Sequence, residues 1–113
     1  MTNERMKAIK IVDELIAYFF AHQLTDLTID LNYGLSQLEI SVQGSCDQKP
    51  DDLDQLKEVL NSERQEELEE YYSSLLGESR NYHELNLLGA LVDSADISYQ
   101  NQQLSITVYR KRS

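Results

Sequence analysis

Between Leu27 and Gln43 apolar and polar residues alternate with a period of two, and one glycine interrupts the pattern. Leu27, Ile29, Leu31 and Tyr33 interleave with Thr28, Asp30 and Asn32. After Gly34, Leu38, Ile40 and Val42 interleave with Glu39, Ser41 and Gln43. Successive side chains of a strand point to opposite faces, so the pattern requires two strands, each with a dry and a wet side, folded about the glycine as a hairpin. A second hairpin follows near the C-terminus: Ile97 and Tyr99, a turn near Asn101, then Leu104, Ile106 and Val108 against Ser105 and Thr107. A half-wet sheet needs a cover for its dry face.

Helices supply that cover. The spacing predicts a helix over 4–23, capped by Thr2 or Asn3, with Ile9, Val12, Ile16 and Phe19 at helical period and Leu15 and Phe20 widening the stripe. Pro50 marks a break, and Asp51 or Asp52 can cap a helix carrying Leu53, Leu56 and Leu60. A further run holds Leu68, Tyr71, Tyr72, Leu75 and Leu76 and stops at Gly77. A last helix over 82–93 carries Leu85, Leu87, Leu88, Leu91 and Val92 around much of its circumference, the signature of deep burial.

The 113 residues fit one domain, large enough for a core without staples. A single cysteine, Cys46, excludes an internal disulfide and points to a reducing compartment. No apolar run reaches the roughly 20 residues of a membrane span, and Met1 to Lys10 is charged rather than signal-like, so a soluble cytoplasmic protein is expected. The net charge of −10 repels nucleic acid and anionic lipid, so neither is an expected partner. The charge is uneven: residues 47–70 hold ten acids against Lys49, Lys57 and Arg64, while both termini are basic. Such a run is commonly a solvated helix face; its functional alternative is a dock for a basic partner.

Signals for chemistry are sparse. His22 and His83 have no ligand spacing around them, and no metal is expected. Cys46 has no base beside it in sequence and reads as an ordinary thiol. The four glycines form neither a P-loop nor a dinucleotide pattern. The acidic helices lack EF-hand order.

The order of elements is the informative signal. Residues 10–44, KIVDELIAYFFAHQLTDLTIDLNYGLSQLEISVQG, and 84–111, ELNLLGALVDSADISYQNQQLSITVYRK, resemble the two halves of the histidine-kinase-like (GHKL, Bergerat) ATPases. Bacterial anti-sigma-factor serine kinases, similarly compact, are the nearest likeness. The resemblance implies an α/β (α+β) two-layer sandwich, with a four-stranded mixed sheet and helices on one face. It makes 1–113 a single domain, with 47–80 an acidic helical insertion in place of an ATP lid. Glu14 matches the family's helix glutamate, but the Mg²⁺-binding asparagine falls on Tyr18. The adenine-reading aspartate falls on Gln43. Gly44 lies between the family's glycines, Cys46 replaces the next, and the later Gly-x-Gly falls near Glu84 and Asn86. Glu14 is then a vestige, a surface residue paired with Lys10 one turn earlier. These departures imply no bound nucleotide, no cofactor and no catalysis. The expected function is a regulatory module acting through a protein partner; the alternative is a nucleotide-dependent serine kinase or ATPase with divergent motifs. The breadth of the first helix, with Tyr18, Phe19 and Phe20, predicts a homodimer, and the related kinases pair through this half.

Overall fold

The computed structural model describes residues 4–24, 26–61 and 85–112. Their order is α1 (Glu4–Ala21), β1 (Leu27–Tyr33), β2 (Gln37–Ser45), α2 (Leu53–Leu60), α3 (Leu85–Leu91), β3 (Ser94–Gln100) and β4 (Gln103–Lys111). The helix expected around Leu68 to Leu76, the caps Thr2 and Asn3, and residues 82–84 lie outside the described residues. No described helix is long and apolar enough to cross a membrane.

The two hairpins form where the alternation places them. Tyr33 pairs with Leu38 across Gly34 to Gln37, and the amide of Gly34 donates to the carbonyl of Gln37 at 3.0 Å. In the second hairpin Gln100 pairs with Gln103, leaving a two-residue loop. Asn101 and Gln102 both have positive φ, 53° and 61°, as the turn best matched to strand twist requires.

The strands run in the order β1-β2-β4-β3. Every neighbouring pair is antiparallel, so the sheet is not the mixed sheet that the resemblance implies. The connection from β2 to β3 does return the chain in the same direction, but β3 takes the outer place. Strand β4 then comes back between β2 and β3, so the two parallel strands are not neighbours. The fold is α+β, with one four-stranded antiparallel sheet and helices.

Parity along the strands sets the core. Leu38, Ile40, Val42, Leu104, Ile106 and Val108 are buried on one face with Leu56 and Leu60 of α2 and Leu88 and Leu91 of α3. On the other face Ser41 and Thr107 hydrogen-bond at 3.0 Å, and Tyr109 donates to Asp96 at 2.9 Å. Helices α2 and α3 meet where Gly89 has no side chain. A Cβ there would lie 2.5 Å from Val59 Cγ1 and 2.9 Å from the Val59 carbonyl oxygen.

Helix α1 departs from expectation. Its buried residues are Lys7, Ala8, Ile11, Glu14, Leu15, Tyr18 and Phe19. Of the stripe read from sequence Leu15 and Phe19 are among them; Val12 and Ile16 are half-buried, and Ile9 and Phe20 are exposed. The helix is apolar on two sides, and periodicity alone cannot choose between them. Glu14 is buried, not on the surface as expected, because it lies one turn from Tyr18 along the inward face.

Arg110 fixes the rotation of α1. It follows Leu104, Ile106 and Val108 in phase, so its side chain enters the dry face and is 2% exposed. Its Nε and Nη2 donate to the two Glu4 carboxylate oxygens, each at 2.9 Å, and its Nη1 donates to the Leu91 carbonyl at 2.8 Å. Removing the carboxylate takes two charge-assisted hydrogen bonds from a buried guanidinium, a loss of about 2–3 kcal/mol once the partial exposure of Glu4 is allowed for. Glu4→Ala should therefore lower the free energy of urea unfolding by about that amount. Gly89→Ala should lower it by about 1–3 kcal/mol, the usual range for overpacking. A change under about 0.5 kcal/mol, the range of neutral surface substitutions, would show that the corresponding contact is dispensable.

Candidate functional site

Helix α1 ends where α2 begins, and the two ends are joined by side chains. The end of α1 is a Schellman arrangement: the Leu24 amide donates to the Phe19 carbonyl at 3.0 Å and the Gln23 amide to the Phe20 carbonyl at 2.9 Å. Gln23 takes the left-handed position with φ 69°, a place more often held by glycine. This tight exit turns His22 toward α2. Asp52 stands at the N-cap of α2 but makes no side-chain cap bond. Its carboxylate is turned to α1 instead.

Asp52 Oδ1 accepts the Tyr18 hydroxyl at 2.7 Å and lies 3.2 Å from His22 Nε2. The Tyr18 and His22 rings lie 4.6 Å apart, tilted by 57°. The dipole of α2 favours the arrangement, since a carboxylate suits a helix N-terminus. Burial above all, then the hydrogen bond and charge of Asp52 and the charge of Cys46, push the Tyr18 hydroxyl far above its ordinary pKa of 10.0. Tyr18 is thus a fixed proton donor at any physiological pH.

Beside this clasp lies an open polar cleft of about 460 Å³, formed by residues 22–24 at the end of α1 and 45–51 after β2. Its lining includes Asp47, Asp51 and Lys49, with the His22 imidazole beside them. Cys46 closes its floor: the thiol donates to the Gln48 carbonyl at 2.9 Å, and the Cys46 carbonyl accepts the Tyr99 hydroxyl at 2.7 Å. The thiol is buried and engaged in a local turn.

The residues singled out from sequence do not converge. Glu14 and Tyr18 sit on the inward face of α1. Gln43 does not join them. It pairs with Thr28 and Ser105 on the wet face, and its Oε1 accepts Gln103 Nε2 at 3.5 Å, so the sheet separates it from Tyr18. A Cβ at Gly44 would meet Leu27 Cδ2 at 2.9 Å, the Asp26 carbonyl oxygen at 3.1 Å and Leu24 Cδ2 at 3.2 Å. The role of Gly44 is to let the α1–β1 connection close onto β2. Glu84 lies outside the described residues, and Asn86 lies in α3. Of Glu14, Tyr18, Gln43, Gly44 and Cys46, Cys46 lines the cleft. Among the described residues no group of His, Cys, Asp and Glu has the geometry of a metal site.

Asp52 and His22 were not linked by sequence reasoning. The available signal was Asp52 as a cap, which suggested a bond to its own helix. No family model, curated protein or solved structure matches this chain.

Tyr18→Phe deletes the hydroxyl that Asp52 accepts and should cost about 1–3 kcal/mol at neutral pH, since the acceptor is charged. The raised pKa adds a signature at high pH. Below pH 10 both folded and unfolded chains hold this proton, and the stabilisation is complete. Above about pH 10 the unfolded chain ionises Tyr18 and the folded chain does not, so wild-type stability falls by up to about 1.4 kcal/mol per pH unit for this group. The wild-type and Tyr18→Phe stability curves should therefore converge above pH 10 in urea titrations. Parallel curves there would contradict the buried hydrogen bond.

Proposed function

We propose that this domain is a non-catalytic, cytoplasmic interaction module that regulates a partner protein by binding, built on a two-layer, degenerate histidine-kinase-like ATPase fold. The observation that carries the reading is the Tyr18–Asp52–His22 clasp. It stands where the resemblance would put a magnesium ligand, and it offers a buried, uncharged hydroxyl already engaged with a carboxylate. The adjoining cleft has Asp47 and Asp51 in its wall against Lys49. A phosphate oxygen brought within ~4 Å of either carboxylate meets a repulsion of about 4 kcal/mol at an effective dielectric of 20. A lysine or arginine side chain meets attraction at the same place. The cleft therefore suits a basic segment of a protein better than a triphosphate.

The kinase alternative requires Glu14 to reach a substrate hydroxyl and Gln43 to reach a base. Glu14 is buried and Gln43 faces the other side of the sheet.

Calorimetry with millimolar Mg·ATP should give no saturable signal. The tagged chain should capture a partner from cells of its source, and the double variant Asp47→Lys, Asp51→Lys should release it while keeping the wild-type melting temperature. A saturable Mg·ATP signal, with turnover abolished by Glu14→Ala, would replace this reading with the kinase one. A partner retained by the double variant would remove the cleft from the reading.

A further inference from the structure

The two edges of the sheet formed by the described residues are β1 and β3, and they are finished differently. An edge strand carries a row of main-chain N–H and C=O groups that its one neighbour does not use, and proteins commonly blunt such a row with lysine, proline, a bulge or a covering group. At β3 the row is interrupted near its start. The Ala95 amide donates at 3.0 Å to Oδ1 of Asn61, the residue that ends α2, and α2 packs against the same strand. Strand β1 has no such finish among the described residues. It holds no lysine or proline, and all its residues pair with β2 in unbroken register, without a bulge. Its side chains leave room as well. Ile29 and Leu31 pair with Val42 and Ile40, which puts them on the dry, helix-bearing face. They are nevertheless 41% and 48% exposed, because α1 packs over β2 and the inner face of β1 projects beyond it. On the wet face Asp30, the one charge of β1, is exposed, and among the described residues no cation pairs with it.

We infer that β1 receives an extended segment of another protein, which adds to its open edge as a further strand. The unused main-chain row calls for a strand, since only another extended backbone meets it group for group. The side chains say which kind. Apolar residues at alternate positions would cover Ile29 and Leu31, and a lysine or arginine between them would face Asp30 on the wet side. Opposite charges directly across two strands are favourable, and like charges are not. The same aspartate opposes a second copy. Pairing β1 with its own image over its full length sets Asp30 against Asp30, and shifting the register to part the two carboxylates shortens the pairing. The net charge of −10 adds to that opposition. No residue of β1 lines the cleft, so the two surfaces are distinct.

Titration of the intact chain with a short synthetic peptide, read by fluorescence anisotropy and amide exchange, tests this. The peptide alternates threonine and valine, with lysine in place of the central threonine. Saturable binding is expected, with exchange slowing at the outward amides of residues 27–33 and not at 45–51. A peptide of the same composition with its valines contiguous should not bind, because its apolar side chains cannot share one face of a strand. Asp30→Lys should weaken binding by about three- to tenfold and turn the preference toward a twin peptide with a central glutamate. Asp30 is exposed, so this variant should keep the wild-type circular dichroism and melting temperature. The double variant Asp47→Lys, Asp51→Lys should bind like the wild type, which separates the edge from the cleft. No saturable binding at millimolar peptide overturns the inference. So do equal binding of the contiguous-valine peptide, protection that falls on 45–51, or indifference of Asp30→Lys to the central charge. Amides of β1 that are all protected before peptide is added overturn it too, whether the chain sediments at 13.1 kDa or at twice that mass.

Discussion

The layers depend on one buried cation. Strand register forces Arg110 into the dry face, where an unpaired guanidinium costs several kcal/mol of desolvation. The structure meets that cost with a two-pronged contact to Glu4 and a third bond to the Leu91 carbonyl. One sheet residue thereby holds the first turn of α1 and the last turn of α3. Glu4 also lies at the helix N-terminus, where the backbone dipole favours a carboxylate. A pair of this kind adds little net stability over an apolar substitute, but its geometry is demanding. Its consequence is orientation: α1 cannot roll without breaking a fork of two hydrogen bonds.

That orientation reaches the other end of the helix. With Glu4 held at Arg110, the inward stripe is Ile11, Leu15, Tyr18 and Phe19, and the Tyr18 hydroxyl arrives at Asp52. The clasp and the Arg110 node fix α1 at its two ends, one through the sheet and one through α2. The polar cleft exists because the second of these joints is made by side chains. Had Asp52 capped its own helix, nothing in the clasp would hold His22 and the end of α1 against α2. The same fixed rotation turns Met6, Ile9 and Phe20 outward, so the free apolar face and the cleft are two results of one constraint.

Period-two patterning made the hairpins legible in sequence, including the turn at Asn101 and the two faces of each strand. The leucine spacing of α2 was equally clear, and Leu53, Leu56 and Leu60 are all buried. Helix α1 was legible as a helix but not in its rotation, because a helix apolar on two sides has no unique inward stripe. Strand parity alone also assigns a face to two further side chains. Arg110 is in phase with Leu104, Ile106 and Val108, and Gln43 is in phase with Glu39 and Ser41. The first belongs to the core and the second to the wet face, whatever their charge or a family pattern suggests. The clasp was beyond sequence reasoning for another reason. Tyr18 and Asp52 are 34 residues apart, and a cap residue ordinarily serves its own helix.

The distribution of charge separates the two surfaces chemically. The acids gather after residue 46, beginning with Asp47, Asp51 and Asp52 around the cleft, while α1 is balanced and β1 presents no charge inward. Screening confines such differences to about 8–10 Å at ordinary ionic strength, so the two surfaces are electrostatically independent. Attraction of a cationic segment to the cleft weakens with added salt. Burial of Ile29 or Leu31 does not, and salts such as sulfate strengthen it. The two surfaces therefore respond oppositely to salt, and this difference follows from where the carboxylates stand.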